Sequence, residues 1–302
     1  MAKSLVVVFG ATGFIGRSIV QRLVGRGFRV RAAVRRPEQA LFLRSMGAVG
    51  QVSLFPTDVC SQSSVMAATE GASGVVNAVG ILTERGRQNF SNIHVLGVRQ
   101  ITRAAEAANV EHLVHISAIG ADVNSPSIYS RTKAEGENVT KEFTGRVTLL
   151  RPSLVFGPQD QFFNRFAAMS RVSPVLTIVN GQVKFEPVYV GDVAEAVVRV
   201  ISSGSEGRVI IELGGPCLYT FKELVELVLQ QVGRERWVLS LSEGVALALA
   251  FFLEFMPNPL LTRDQVYLLR NDNITTRGSK QLIDLGIRAT PLEAILSSYL
   301  RR

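Results

Sequence analysis

The sequence predicts an α/β protein: a doubly wound, Rossmann-type parallel sheet with a smaller, mostly helical C-terminal part. Three observations predict it. Short β-rich runs alternate with helix-periodic segments through the first half of the chain. Those runs are apolar nearly throughout, as expected of strands covered on both faces. A glycine triplet stands between the first run and the first helical segment, where such folds bind their ligand.

Six strands are read in order: Leu5–Phe9, Phe28–Val34, Val49–Phe55, Gly74–Val79, His112–Ser117 and Val147–Arg151. Helix-periodic segments lie between them, including Ile15–Gly27 and Val95–Val110. The opening MAKSLVVVFG reads as a strand rather than a signal peptide. After Arg151 the pattern loosens. FEPVYVGDVAEAVVRVI reads as a strand and helix returning to the sheet, and FKELVELVLQQV and LSEGVALALAFFLEFM as helices of the smaller part. Pro257 and Pro259 break the last of these. Residues 1–157, with 185–212 returning, are therefore expected to form the dinucleotide-binding domain, and residues 158–184 and 213–302 the second one.

The chain has 302 residues, 47% hydrophobic and 19% charged, which suits one large domain or one and a half. Its 33 basic and 25 acidic residues give a net charge of +8, which favours anionic partners. The charge is spread out rather than bunched into a tail, which argues against a nucleic-acid partner. Cys60 and Cys217 form no CxxC pair, and His94, His112 and His115 form no metal-ligand pattern, so no metal is expected. All three histidines read as structural or surface residues, with the odd offset between His112 and His115 pointing them to opposite faces of a strand. The uncharged run Gly244–Leu253 is too short to span a bilayer, which takes about twenty residues. It reads first as a buried helix, and otherwise as a face docked on a membrane or another subunit.

In VVVFGATGFIGRS, Gly10, Gly13 and Gly16 follow a strand and open a helix. Glycine permits a tight turn and close approach of the backbone to a pyrophosphate, and the helix N-terminus presents free N–H groups. The candidate cradle is Gly10, Thr12, Gly13, Phe14, Ile15 and Gly16. The second strand ends with Arg35 and Arg36 where an acid would select a free ribose 2′-hydroxyl. A guanidinium matches a 2′-phosphate, so NADP(H) is expected over NAD(H), with Arg17 adding to the pocket. Asp58, next to Val59, is placed to bond the adenine amino group, and Ala78, Val79 and Gly80 to pass beside the adenine ribose. Pro152 completes the candidate contacts.

In SIYSRTKAEGE, Tyr129 and Lys133 share one face of a helix. A free tyrosine ionises near ~10. A lysine ammonium one turn away favours the phenolate, and can also bond the ribose hydroxyls.

The GATGFIG turn, the strand end HISAIGAD and the YxxxK helix together resemble the short-chain dehydrogenase/reductase superfamily, in its atypical, extended branch. The resemblance covers most of the chain. It implies Tyr129 as acid/base, Lys133 as ribose clamp and a serine near Ser117. Here the sequence departs from the pattern. Active members usually carry two or more serines at that strand end, and this chain has Ser117 followed by Ala118. The later, working position is vacated, leaving Ser117 as the structural serine; Ser125 and Ser127 lie in the intervening loop, but loop serines are common and neither is expected to substitute.

Together, LVHISAIGAD, LRPSLVFGPQDQFFNRFAAMSR, FEPVYVGDVAEAV and LTRDQVYLLRNDN are similar to one subgroup, the NADPH-binding accessory subunits of respiratory complex I (NADH:ubiquinone oxidoreductase). That resemblance implies a structural NADPH without turnover, other complex I subunits as partners and peripheral contact with the membrane surface. It places the chain on the cytoplasmic face of a bacterial inner membrane, or the matrix side in a mitochondrion. The alternatives are an active NADPH-dependent reductase, epimerase or dehydratase, and a regulator that senses NADPH.

Overall fold

A computed structural model describes residues 4–203, 207–256 and 259–300. The chain runs β1 (Leu5–Phe9), α1 (Phe14–Gly25), β2 (Arg29–Val34), β3 (Val52–Pro56), α2 (Gln62–Thr69), β4 (Gly74–Asn77), α3 (Gly97–Ala107), β5 (His112–Ile116), α4 (Ile128–Thr140) and β6 (Arg146–Pro152). It continues with β7 (Val155–Phe156), α5 (Phe162–Val172), β8 (Val175–Val179), β9 (Lys184–Phe185), β10 (Val188–Tyr189), α6 (Val190–Ser203) and β11 (Arg208–Leu213). The remainder is β12 (Tyr219–Thr220), α7 (Phe221–Val232), β13 (Trp237–Leu241), α8 (Glu243–Leu253), α9 (Arg263–Leu268) and α10 (Leu292–Leu300).

Seven strands form one parallel sheet in the order β11-β6-β5-β4-β1-β2-β3. The chain starts in the middle and winds outward in both directions, which puts the crevice of the fold above β1 and β4. The apolar strand runs have a direct cause: Val6, Val7, Val8 and Phe9 are fully buried, alternately facing the two cores on either side of the sheet. Each such side chain contributes roughly 1.5–3 kcal/mol on burial.

The strands stand where the sequence places them, with shifts at their ends. β3 starts at Val52, because Val49 lies in an exposed turn. The segment after Phe185 returns differently from expectation. β10 pairs only with β7, α6 covers the sheet beside α1, and β11 is the strand that joins the sheet edge.

The C-terminal part has three smaller apolar clusters. One joins α5, α7 and α10, and a second packs α7 under β8. In the third, Ala246 and Ala250 of α8 meet Val179 and Val266. α8 is not the buried helix expected first: its small residues face inward, while Val245, Leu249, Phe251 and Phe252 are exposed. Pro257 lies outside the described residues; α8 ends at Leu253, ahead of both prolines.

Candidate functional site

The turn after β1 is built on close backbone approach. Gly10 has φ +77° and sits so near the β4 loop that a Cβ there would lie 2.7 Å from the Ala78 carbonyl oxygen. A Cβ on Gly16 would lie 2.0 Å from the Gly10 carbonyl oxygen. Alanine at Gly10 would push the turn off the β4 loop, and alanine at Gly16 would push α1 off the turn. The Gly13 N–H closes the turn on the Gly10 carbonyl at 2.9 Å. No side chain caps α1 at Gly13, so its N-terminus is left for an acceptor from outside. Thr12 is exposed, and Phe14 and Ile15 are half-buried, Ile15 against the core.

Arg17 is occupied locally. Its guanidinium donates to the Thr12 carbonyl at 2.7 Å and to that of Gly13 at 3.3 Å, and stacks over Phe42. Arg35 and Arg36 are exposed at the end of β2, and their guanidinium groups make no hydrogen bond or ion pair among the described residues. Asp58 is exposed and accepts the Cys60 N–H, fixing the turn after β3, while Val59 is buried in the core. The β4 loop is pinned twice: the Val79 N–H donates to Asn77 Oδ1, and the Ile81 N–H to His94 Nε2. Ala78 and Val79 are half-buried and Gly80 is exposed.

On the other side of the crevice, Ser117 follows β5. Its backbone is tied to Leu150, but its buried Oγ has no partner. The Ile119 N–H reaches the carbonyl of Pro152, which is itself buried. Lys133 is buried and donates from Nζ to the Ile116 carbonyl at 2.7 Å. Burial lowers its pKa to about 8, against the opposing charge of Glu137. Glu137 is clamped bidentately by Arg151, at 2.7 and 2.6 Å, which ties α4 to β6. Breaking such a buried pair costs about 3–5 kcal/mol.

Tyr129 is half-buried, and its phenol does not shift as expected from the lysine one turn on. Burial and then the Asp264 carboxylate push its pKa up to about 12. The physical reason is geometric: the Lys133 ammonium is turned to a backbone carbonyl, while a carboxylate stands at the start of α4. The loop serines are not free to replace a catalytic serine. Ser125 Oγ accepts the Ser127 N–H, and Ser127 Oγ accepts the Ser130 N–H while donating to Asp264.

His94 is the residue that sequence reasoning missed. It is buried, in a π-helical turn (Ser91–Leu96) leading into α3. Its ring meets Tyr129 edge-on at 5.4 Å. Thr132 Oγ1 already donates to the Ile128 carbonyl, so His94 Nδ1–H donates to Thr132 Oγ1 and its Nε2 accepts from Ile81. Burial lowers its pKa to about 3, so it is neutral. The other histidines are buried too, which excludes a surface role. His112 Nε2 pairs with Thr148, and His115 Nδ1 with Asn77. Only the register of the π-helical turn brings His94 under the tyrosine, and a 3.6-residue period does not carry that signal.

The structure thus brings Ser117, Tyr129, Lys133 and His94 together on one side of the crevice, and the glycine turn and β4 loop on the other. No group of His, Cys, Asp and Glu among the described residues could hold a metal ion. An uncapped helix N-terminus and an orphaned buried hydroxyl are features a dinucleotide would satisfy.

Comparison with known proteins bears on the same region and beyond it. Residues 6–214 match the NAD dependent epimerase/dehydratase family. NADH dehydrogenase (ubiquinone) 1 alpha subcomplex subunit 9 of Dictyostelium discoideum is 29% identical over 291 residues, 95% of this chain and 81% of that protein. The mouse (Mus musculus) protein of the same name is 30% identical, over 98% and 79%. Among solved structures, an NADPH-dependent quinone oxidoreductase of Escherichia coli complexed with NADPH superimposes with a TM-score of 0.75 at 22% identity, covering 98% of each chain.

Proposed function

Because this chain belongs to the NAD dependent epimerase/dehydratase family, with relatives of the complex I subunit type along nearly its whole length, we propose that it is an accessory subunit of respiratory complex I that holds NADPH as a structural ligand. The observation that carries this reading is the reach of the similarity. It continues past residue 214, where the family match ends, through the α8 and α9 region.

A nicotinamide dinucleotide suits the residues present. The glycine turn and the start of α1 would take its pyrophosphate. Arg35 and Arg36, unpaired at the end of β2, favour a 2′-phosphate and so NADPH. Lys133 and Tyr129 would take the ribose on the nicotinamide side. When bound, the nicotinamide could supply hydride chemistry. The chain's own groups do little to direct it. Ala118 leaves the later serine position empty, Ser127 caps α4, Ser125 accepts the Ser127 N–H, and Lys133 points to Ile116. A ligand that binds only the folded state still stabilises it by RT ln(1 + [L]/Kd).

The expected partners are other complex I subunits and the membrane surface, on the cytoplasmic face of a bacterial inner membrane or the equivalent matrix side. The apolar face of α8 and the turn after it, with Phe251, Phe252, Phe255 and Met256 exposed, supports contact with an apolar subunit or lipid. No helix among the described residues is long and apolar enough to cross a membrane. Residues 213–302 hold ten basic and nine acidic side chains, so nearly all of the +8 surplus lies in residues 1–212. The C-terminal stretch around α8 thus carries little surplus charge, and contact there rests on apolar burial.

A reductase is the second reading, favoured by one observation: Tyr129 and the buried Lys133 lie one turn apart on α4, beside the unpartnered Ser117 hydroxyl. Tyr129→Phe separates the two. The structural reading expects it to fold and assemble as wild type and still to hold NADPH, weakened by no more than the one lost ribose hydrogen bond. The reductase reading expects loss of NADPH oxidation with any carbonyl that the wild type reduces.

A further inference from the structure

α4 carries both Tyr129 and Lys133, yet its first turn is capped from far along the chain. Asp264 Oδ1 accepts the Ile128 N–H at 2.5 Å, and Oδ2 accepts the Ser127 hydroxyl at 2.9 Å and the Tyr129 N–H at 3.3 Å. With the Ser130 N–H bonded to Ser127, every donor of that turn is satisfied. A carboxylate at a helix N-terminus is favoured by the orphan N–H groups and by the helix dipole.

Asp264 is itself held firmly. It sits in the first turn of α9, which has its own capping box between Thr262 and Gln265. Its neighbour Arg263 donates to Glu254 at the end of α8, from the backbone at 2.7 Å and from Nε at 2.9 Å, and covers the Phe251 ring. Val266 of α9 is buried against Ala246 and Ala250. Two adjacent residues, Arg263 and Asp264, thus join the apolar α8 hairpin to the helix that forms the nicotinamide side of the crevice.

We propose that Asp264 is a positioning residue that couples the nucleotide site to the α8–α9 hairpin, so that binding at one end steadies the other. This rests on the nucleotide-holding role proposed above. α4 has a fixed foot at Lys133 on the Ile116 carbonyl and a fixed head at Asp264. A ligand that orders Tyr129 and Lys133 therefore strengthens the seat of Asp264. By linkage, a partner that fixes α8 and α9 tightens nucleotide binding by the same factor.

Hydrogen exchange of α8 and α9, with and without NADPH, tests it in the full chain. In wild type, NADPH is expected to slow exchange there by about tenfold, toward the lower end of the range for coupled sites. Asp264→Ala removes the link, so NADPH still binds through the glycine turn but protects α8 and α9 less than twofold. Asp264→Asn keeps one acceptor oxygen and gives an intermediate effect, which covers poor folding of the alanine variant. A merely structural cap would lower the melting temperature of both variants and leave the NADPH-induced protection intact, which overturns the proposal. Binding of NADPH to wild type with no change at α8 and α9 also overturns it, while leaving the nucleotide role standing. No binding of NADPH at all defeats both.

Discussion

Arg35 and Arg36 offer the sharpest test of which dinucleotide the crevice takes. Both are exposed and unpaired at the end of β2, so replacing them costs the ligand-free fold little. The loss should appear almost wholly in binding. A charge-assisted hydrogen bond is worth about 1.5–3 kcal/mol, and solvent exposure puts these two at the low end. One arginine replaced by glutamine should therefore weaken NADPH binding about tenfold, at 1.4 kcal/mol per factor of ten. NADH, which lacks the 2′-phosphate, should bind as before. The same change is visible as stability. NADPH at 100 times Kd stabilises the fold by about 2.7 kcal/mol. After a tenfold loss the same concentration supplies about 1.4 kcal/mol, which lowers the melting temperature with NADPH by roughly 2–3 °C. Fluorescence titration with both nucleotides, and thermal melts with each, measure this. Unchanged NADPH affinity in Arg35→Gln, Arg36→Gln and the double variant would refute the assignment, as would an equal loss for NADH.

Three other outcomes are expected. Gly13→Trp should abolish nucleotide-dependent stabilisation, because an indole at the mouth of the turn excludes a pyrophosphate; a melting shift with NADPH equal to wild type contradicts this. Stability should fall with pH below 6.5, since His94 and His112 ionise near 3 and 4 when folded but near 6.5 when unfolded. The unfolded state then binds the extra protons, so at pH 5 each histidine has withdrawn about 2 kcal/mol. Urea unfolding at pH 7.5 and 5 checks it, and His112→Asn should flatten the slope. Phe252→Ser with Phe255→Ser should leave the NADPH affinity of the isolated chain intact and release the chain from washed membranes; retention on the membrane argues against the α8 face as the contact.

What the sequence makes legible follows from local chemistry. β1 is buried on both faces, so its run is apolar throughout. The turn at Gly10 and Gly16 admits no side chain, so its glycines stand out. Tyr129 and Lys133 are one helical turn apart. The features that escape notice are made by distance in sequence or by a change of helical register. Asp264 reaches α4 from more than a hundred residues away, and His94 arrives beneath Tyr129 through a π-helical turn. The Lys133 ammonium turns to a backbone carbonyl, which spacing alone does not reveal. α8 misleads for a different reason. An apolar run says nothing of which side is covered, and here the alanines pack inward while the phenylalanines face out.

The central claim is membership in a respiratory assembly. Native-gel separation of detergent-solubilised membranes from the source organism, probed for this chain, tests it most directly. Co-migration with NADH dehydrogenase activity, with NADPH recovered from the same band, is the predicted result. Migration of the chain only as a free species, away from that activity, would contradict it.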